Sequence, residues 1–384
     1  MMNVLVVTNT TSAYGANRSL YDMIIQLKRL DVHFVVMFYE HGEFEKILKN
    51  VGVQTEVFPY SLCVHEEHTE SMFRWSGRYF HNLLKLKKAQ EIIKKYHIDI
   101  IHSNASNVDF GALLAEYYHI PHVWHIRELL YADYHIKYNF PHIENMLLRR
   151  AEKVICISEF VQQKRNLQKK NCMVLYDGFD IDKYTINRRV FLEKPKMEIL
   201  YCGVISTEKG TSDCIYAVER LKDQQDIDVH LSIVGSPNEY WNKLEEYIQT
   251  HCLEDVITYY GYQKDMRPYR EKADVAIISS RSEGLGRVTI ESMLGEVLVI
   301  GTKSGANTEL IKDGETGYLY EAGNIEQLAD KIRKSYLQKQ HSFKCIQAAK
   351  EFAEQNFEGK QYALQIKKIY QECMRASTSQ NGVV

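Results

Sequence analysis

Short runs rich in Val and Ile recur along the chain, and longer stretches with apolar positions three and four apart separate them. In the first half the runs are NVLVVT (3–8), HFVVMFY (33–39), VQTEVF (53–58), IDIIHS (98–103), HVWHI (122–126) and KVICIS (153–158). The second half continues with EILYCG (198–203), DVHLSIVG (228–235), VITYYG (256–261), DVAIIS (274–279) and VLVIGT (297–302). Runs that are apolar on both faces and alternate with helical spacing predict parallel sheets covered by helices on both sides. YTINRRVFLEKPKM (184–197) is charged, holds a proline and breaks both periodicities, which predicts a domain boundary there. The last periodic helix covers roughly 357–375, and the tail STSQNGVV is expected to fray.

The 384 residues exceed one ordinary core and suit two domains of roughly 150–200 residues each. With 45% hydrophobic and 26% charged residues the composition is that of a globular protein, and a net charge of −2 excludes a general nucleic-acid binder. Residues 1–190 carry 24 Lys and Arg against 21 Asp and Glu, and the remainder 24 against 29. The mildly basic first half suits an anionic partner, or is ordinary scatter of surface charge. The start MMNVLVVTNT shows no secretory signal, and no window reaches the ~18 uninterrupted apolar residues of a membrane-spanning helix. Eight scattered cysteines, such as Cys156 and Cys202 in apolar runs, read as buried thiols in a reducing cytoplasm.

Ligands of open α/β sheets bind at the carboxyl ends of the strands. In the second half those ends lead into GVISTEKG (203–210), GSPNEY (235–240), GYQKD (261–265), SSRSEGLG (279–286) and GTKSGANTE (301–309), each before an expected helix. Helix N-termini favour anions, so five such loops on one rim suit a phosphate-rich nucleotide. Within SRSEGLGRVTIESM (280–293), Glu283 is expected in the loop, the helix near 284–287, and Glu291 one to two turns inside. Gly284 and Gly286 leave the main chain open to a ligand. Arg287 can pair with phosphate oxygens. Carboxylates do not bind phosphate, so Glu283 and Glu291 suit sugar hydroxyls. A nucleotide-sugar satisfies all of these groups together. Read in isolation, the two glutamates are equally a helix-start carboxylate and a solvated helix residue.

The Glu-x7-Glu spacing, followed by VLVIGTKSGANTELIKDGETGYLY, resembles the retaining glycosyltransferases of family four, which have the GT-B fold. GVISTEKG is similar to that family's Gly-Arg-x-x-x-x-Lys-Gly loop at Gly203, Lys209 and Gly210, and DIIHSN, HVWHIRE, ICISEFV and VLYDGFD resemble landmarks of its first half. The resemblance implies two Rossmann-like parallel-sheet domains facing a cleft. These are an acceptor-side domain 1–185, with a helix at about 360–375 packing back on it, and a nucleotide-sugar domain 186–359, followed by a tail 376–384. It implies that Lys209 binds the donor diphosphate, Glu291 the ribose, and Glu283 the donor sugar. The Leu285 and Gly286 main chain lies beside that sugar or the phosphate, and Gly203 and Tyr262 belong to the same donor rim. His125 is implied near the transferred sugar, and Gly15 near the acceptor or diphosphate. By residue type alone, a histidine at a strand end such as His125 is more often a satisfied core residue than a functional one. Arg127 and Glu128 are candidates for the diphosphate or acceptor, Glu128 equally for a helix cap, and His102 is a weaker acceptor-side candidate.

Two departures stand out. The family's loop arginine is Val204 here, and Arg287, or else Arg281, is the expected replacement cation beside Lys209. The second glycine of the family's Ser-x-Gly-Gly is Ala306. The family resembles enzymes with no metal requirement. Asp180-Ile181-Asp182 and Asp226-Ile227-Asp228 fit an Asp-x-Asp metal motif only as three-residue patterns, so no metal or other cofactor is expected.

HNLLKLKKAQEIIKKYHI (81–98) reads as a basic amphipathic helix with Leu83, Leu86, Ile93 and Tyr96 on one face. Such a helix rests on anionic lipid or packs its stripe on the sheet. The expected protein is a cytoplasmic, metal-independent, retaining glycosyltransferase, with peripheral membrane contact through 81–98. It uses a UDP-sugar in preference to a GDP-sugar and acts on a glycan or lipid-linked acceptor in polysaccharide assembly. A catalytically inactive GT-B partner subunit is the alternative. A Rossmann oxidoreductase is disfavoured because TNTTSAYGANRS lacks the GxGxxG spacing.

Overall fold

The structure, a computed structural model, describes every residue except 1, 13–14, 67–71, 169, 187–190, 192–195, 226 and 382–384, and leaves out the side chains of 72, 133–134 and 377–381. The chain forms two compact units. One runs to Phe179 and resumes at Gly359, and the other is Asp180–Glu358.

The strands of the first unit are β1 (Met2–Val7), β2 (Val32–Phe38), β3 (Gln54–Val57), β4 (Val64–Glu66), β5 (Ile100–Ser103), β6 (His122–Ile126), β7 (Ile136–Tyr138), β8 (Lys153–Cys156) and β9 (Cys172–Val174). Seven of them pair in parallel in the order β3-β2-β1-β5-β6-β8-β9, while β4 and β7 form a separate antiparallel ribbon. The second unit contributes β10 (Met197–Cys202), β11 (Val229–Val234), β12 (Ile257–Tyr259), β13 (Val275–Ile278), β14 (Leu298–Thr302) and β15 (Tyr318–Tyr320). These pair in parallel in the order β12-β11-β10-β13-β14-β15. Both orders are doubly wound, with a switch point at β1/β5 in one sheet and at β10/β13 in the other. Every residue of β6 and of β14 is buried, because helices cover both faces of each sheet.

The core of the first unit joins Val4, Val6, Leu20, Ile24 and Val36 to Tyr362, Ile366, Ile369 and Tyr370 of the helix Gly359–Asn381. That helix extends to Asn381, beyond the expected 375, since no glycine or proline stands before Gly382 to stop it. The division at Phe179–Asp180 precedes the expected 185/186, because Tyr184 is buried in the second unit, where its hydroxyl donates to Glu291 Oε1.

The stretch 81–98 is not one helix. Met72–Leu86 is α-helical, Lys87–Ala89 is a 3-10 turn, and Gln90–Lys95 is a second short helix. The 3-10 turn shifts the helical phase, so the expected stripe is split. Leu86 is buried, whereas Leu83 is 38% exposed. Lys95 Nζ and Tyr96 Oη both donate to Glu56 Oε1 of β3, at 2.8 and 2.6 Å.

Candidate active site

In the second unit the loops after β10 and β13 meet at the switch point. Ser279 Oγ donates to the Lys209 carbonyl at 2.8 Å, and the Arg281 amide donates to the Glu208 carbonyl at 2.7 Å. Gly210 begins the helix Thr211–Gln224 so close to this seam that a Cβ would lie 2.3 Å from the Ser279 carbonyl oxygen. The loop after β14 closes the third side. A Cβ on Gly305 would lie 2.5 Å from the Glu283 nitrogen, and the Ala306 amide donates to the Glu283 carbonyl at 2.9 Å. Ala306 itself is fully buried with φ −68°, ordinary backbone for alanine, so the missing second glycine leaves the turn intact.

This clamp sets the side chains. Lys209 Nζ lies 2.9 Å from Glu283 Oε2, with 36% and 20% of the two side chains exposed. The candidate phosphate cation and the candidate sugar carboxylate are therefore adjacent. Gly286 is the N-cap of the helix Arg287–Leu294, and Leu285 beside it is buried. Gly203 and Val204 lie on the exposed part of the β10 loop, which Tyr201 supports from beneath by donating to the Val204 carbonyl at 2.7 Å. Tyr262 follows Gly261 in the loop after β12 and is half-exposed.

Glu291 is not a solvated helix residue. It is 2% exposed, and its carboxylate pairs with Arg270 of the helix Arg267–Lys272, lies 3.6 Å from Arg287, and accepts from Tyr184 at 3.3 Å. The Arg270 guanidinium also sits 5.6 Å from the Tyr184 ring centroid. Arg287 is thus drawn toward Glu291 and Tyr184, with its side chain 14% exposed. Arg281 grips Asp213, one contact being 2.8 Å, and this carboxylate raises the arginine's pKa. Arg270, Tyr184 and Asp213 were missed in the sequence, where no spacing rule joins them to the motif.

In the first unit the acceptor-side candidates gather at the ends of β5 and β6. His102 and His125 are fully buried with ring centroids 5.6 Å apart. Burial, with the nearby Arg127 charge, holds both well below the ordinary histidine pKa, so both rings are neutral. His102 Nδ1 meets the Tyr370 hydroxyl at 2.7 Å. His125 Nδ1 faces Arg127 Nη2 at 3.3 Å, and because arginine only donates, the His125 proton is assigned to Nε2, which is buried with no hydrogen-bond partner. Arg127 is committed to Asp177 at 2.7 and 2.8 Å and to Asn104 Oδ1 at 2.9 Å. Burial alone would lower its pKa, but the Asp177 charge outweighs that and raises it. Glu128 accepts from Asn9 at 3.3 Å, and the N-cap position of the next helix is Leu129. Gly15 is the N-cap of the helix Ala16–Lys28 after β1.

Asp109 opens the helix after β5 and is 7% exposed. Burial lifts its carboxyl pKa to about 6, against a weaker opposing pull from the Cys63 thiol and the helix-start amides. The folded chain therefore binds this proton more tightly than the unfolded chain. The stability linked to it is complete below about pH 4 and is lost as pH rises through about 6, a change of about 3 kcal/mol. Asp109→Asn is expected to melt above the wild type at neutral pH by a margin that shrinks toward zero near pH 4. A margin independent of pH in calorimetry would contradict this.

Among the described residues no group of three or more His, Cys, Asp or Glu is placed to hold a metal ion. Asp180 lies 3.3 Å from Lys183 Nζ, and Asp226 of the other Asp-x-Asp pattern lies outside the described residues.

Residues 13–183 match the family model of Glycosyltransferase Family 4, and residues 182–352 that of Glycosyl transferases group 1. An uncharacterized glycosyltransferase of Methanocaldococcus jannaschii is 27% identical over 90% of this chain and 92% of its own length. N-acetyl-alpha-D-glucosaminyl L-malate synthase of Bacillus anthracis is 21% identical over 77% of this chain and 80% of its own length. The crystal structure of Anabaena HepE in complex with UDP aligns over 97% of this chain and all of its own, with a TM-score of 0.81 and 22% identity. With two doubly wound sheets, and matched domains that together span residues 13–352, the chain belongs to the glycosyltransferases of the GT-B fold.

Proposed function

We propose that the protein is a retaining, metal-independent glycosyltransferase that moves a sugar from a UDP-sugar to a glycan or lipid-linked acceptor in polysaccharide assembly at the cytoplasmic face of a membrane. The observation that carries this reading is the Lys209–Glu283 pair at the β10/β13 switch point, beside two glycine-started helices. The choice of UDP is supported by HepE, which was crystallised with UDP and with UDP-glucose. A cytoplasmic setting is supported by eight cysteines that are all free thiols.

In the proposed reaction the bond from the anomeric carbon to the diphosphate oxygen breaks, and negative charge grows on the leaving phosphate. Lys209 turns from Glu283 to that phosphate. Arg287 and the helix N-termini add to the stabilisation. Glu283, released from the lysine, accepts hydrogen bonds from donor-sugar hydroxyls, and Glu291 accepts from the ribose. The acceptor hydroxyl attacks from the face that the phosphate leaves and gives its proton to the departing phosphate oxygen, which preserves the anomeric configuration.

Thermal denaturation with UDP, GDP and their sugar conjugates tests the donor. UDP compounds at a hundredfold excess over Kd are expected to stabilise the protein by about 2.7 kcal/mol, and GDP compounds at the same concentration are expected to raise the melting midpoint less. Absence of any shift with all of them would favour the inactive-partner alternative. NMR of the first-formed product then reads the anomeric configuration.

A further inference from the structure

The helix Met72–Leu86 has two unlike faces. Its inner face repeats at three and four residues. Trp75 stacks on His65 with centroids 4.0 Å apart, Arg78 donates to the Val64 carbonyl at 2.6 Å, Tyr79 meets Phe140 edge-on at 5.6 Å, and Asn82 donates to the Ser61 carbonyl at 2.8 Å. The outer face of such a helix is ordinarily polar. Here it carries Phe73, 92% exposed, Phe80, 64%, and Leu84, 76%, with Leu83 at its edge. These four are a third of the twelve exposed large hydrophobics among the described residues, and they fall within twelve positions of sequence.

The charge on this face has one sign. Residues 72–90 contain Arg74, Arg78, Lys85, Lys87 and Lys88 and no Asp or Glu. Arg74, Lys87 and Lys88 are exposed with the apolar ridge. From these observations we propose that the outer face of Met72–Leu86 docks on an anionic lipid bilayer, with Phe73, Phe80 and Leu84 entering the headgroup boundary and Arg74, Lys87 and Lys88 meeting lipid phosphates. A helix face about 22 Å long and 10 Å wide offers about a quarter of the roughly 800 Å² per side of a stable protein interface. Insertion into lipid requires only apolar side chains to bury and cations to neutralise phosphate. This surface begins upstream of the 81–98 stripe expected from sequence and overlaps its first residues, Leu83 among them, and it stands on exposure and charge alone, independent of the donor chemistry.

Sedimentation of the full chain with vesicles tests it. Vesicles of phosphatidylcholine mixed with phosphatidylglycerol are expected to carry the protein down, phosphatidylcholine alone far less, and added salt to weaken the binding. Phe80→Ser with Leu84→Ser is expected to lower binding by roughly a hundredfold, about tenfold for each buried side chain removed. Lys87→Ser with Lys88→Ser is expected to erase the preference for anionic vesicles. These surface variants should keep the wild-type melting midpoint and the wild-type UDP shift. No binding of the wild type to anionic vesicles, or undiminished binding of the Phe80/Leu84 variant, overturns the proposal. So does a wild-type dimer in ultracentrifugation that this variant dissociates, which assigns the face to a second copy. If vesicle binding holds while UDP produces no shift, the donor reading fails and the docking surface stands.

Discussion

Lys209→Ala is expected to slow release of nucleoside diphosphate from the donor by roughly 10²–10³-fold, the usual effect of deleting one preorganised group that stabilises transition-state charge. The same change should hardly move the melting midpoint. The Lys209–Glu283 contact is partly exposed, and pairs of that kind contribute about 0–1 kcal/mol. The contrast between a large kinetic effect and a small stability effect is the informative part. The ion pair then acts as a resting arrangement that the donor replaces, with the diphosphate taking the lysine and the sugar taking the glutamate. Turnover unchanged in steady-state assays of Lys209→Ala would remove the lysine from the reaction and, with it, the reading of the β10 loop as a phosphate site.

The opposite signature is expected at Arg270. Arg270→Ala leaves Glu291 buried, with its closest ion-pair partner gone, and should cost about 3–5 kcal/mol, seen as a midpoint fall of about 10 °C. Removing both charges together, as Arg270→Met with Glu291→Leu, should recover most of that loss, because well-packed apolar groups often replace a buried pair without penalty. The double variant should nevertheless show no UDP-induced shift. Recovery of stability without recovery of nucleotide binding separates the ribose role of Glu291 from its structural one. A double variant that still responds to UDP would show that Glu291 serves packing alone.

The strands of the two sheets were legible because parallel sheets buried on both faces demand near-continuous Val and Ile, as in HVWHI and VLVIGT. Of the five strands of three residues among the described residues, β12 was legible inside the longer run VITYYG, whereas β4, β7, β9 and β15 have no such flanking run to display a period and were missed. The 81–98 stripe failed for a related reason, since one 3-10 turn at Lys87–Ala89 is enough to rotate every later side chain. At the candidate site the loop positions of Lys209, Glu283 and Gly286 followed from local pattern, because glycines and helix starts leave a spacing in the chain. The partners of Glu291 did not. Tyr184 and Arg270 reach it from 107 and 21 positions away, and a buried ion pair imposes no rule on intervening sequence. The same holds for Arg127, whose commitment to Asp177 spans 50 residues.

The chain leaves the first unit at Phe179 and re-enters it at Gly359, and the Gly359 amide donates to the Phe179 carbonyl at 2.8 Å. The second unit is therefore an insertion whose two ends are held side by side. During synthesis, all of Asp180–Glu358 is made before Tyr362, Ile366 and Tyr370, which the first core needs. The earlier half waits, without the helix that completes its core, for as long as it takes to make the whole later half. Chaperone dependence would then be concentrated in the segment made first.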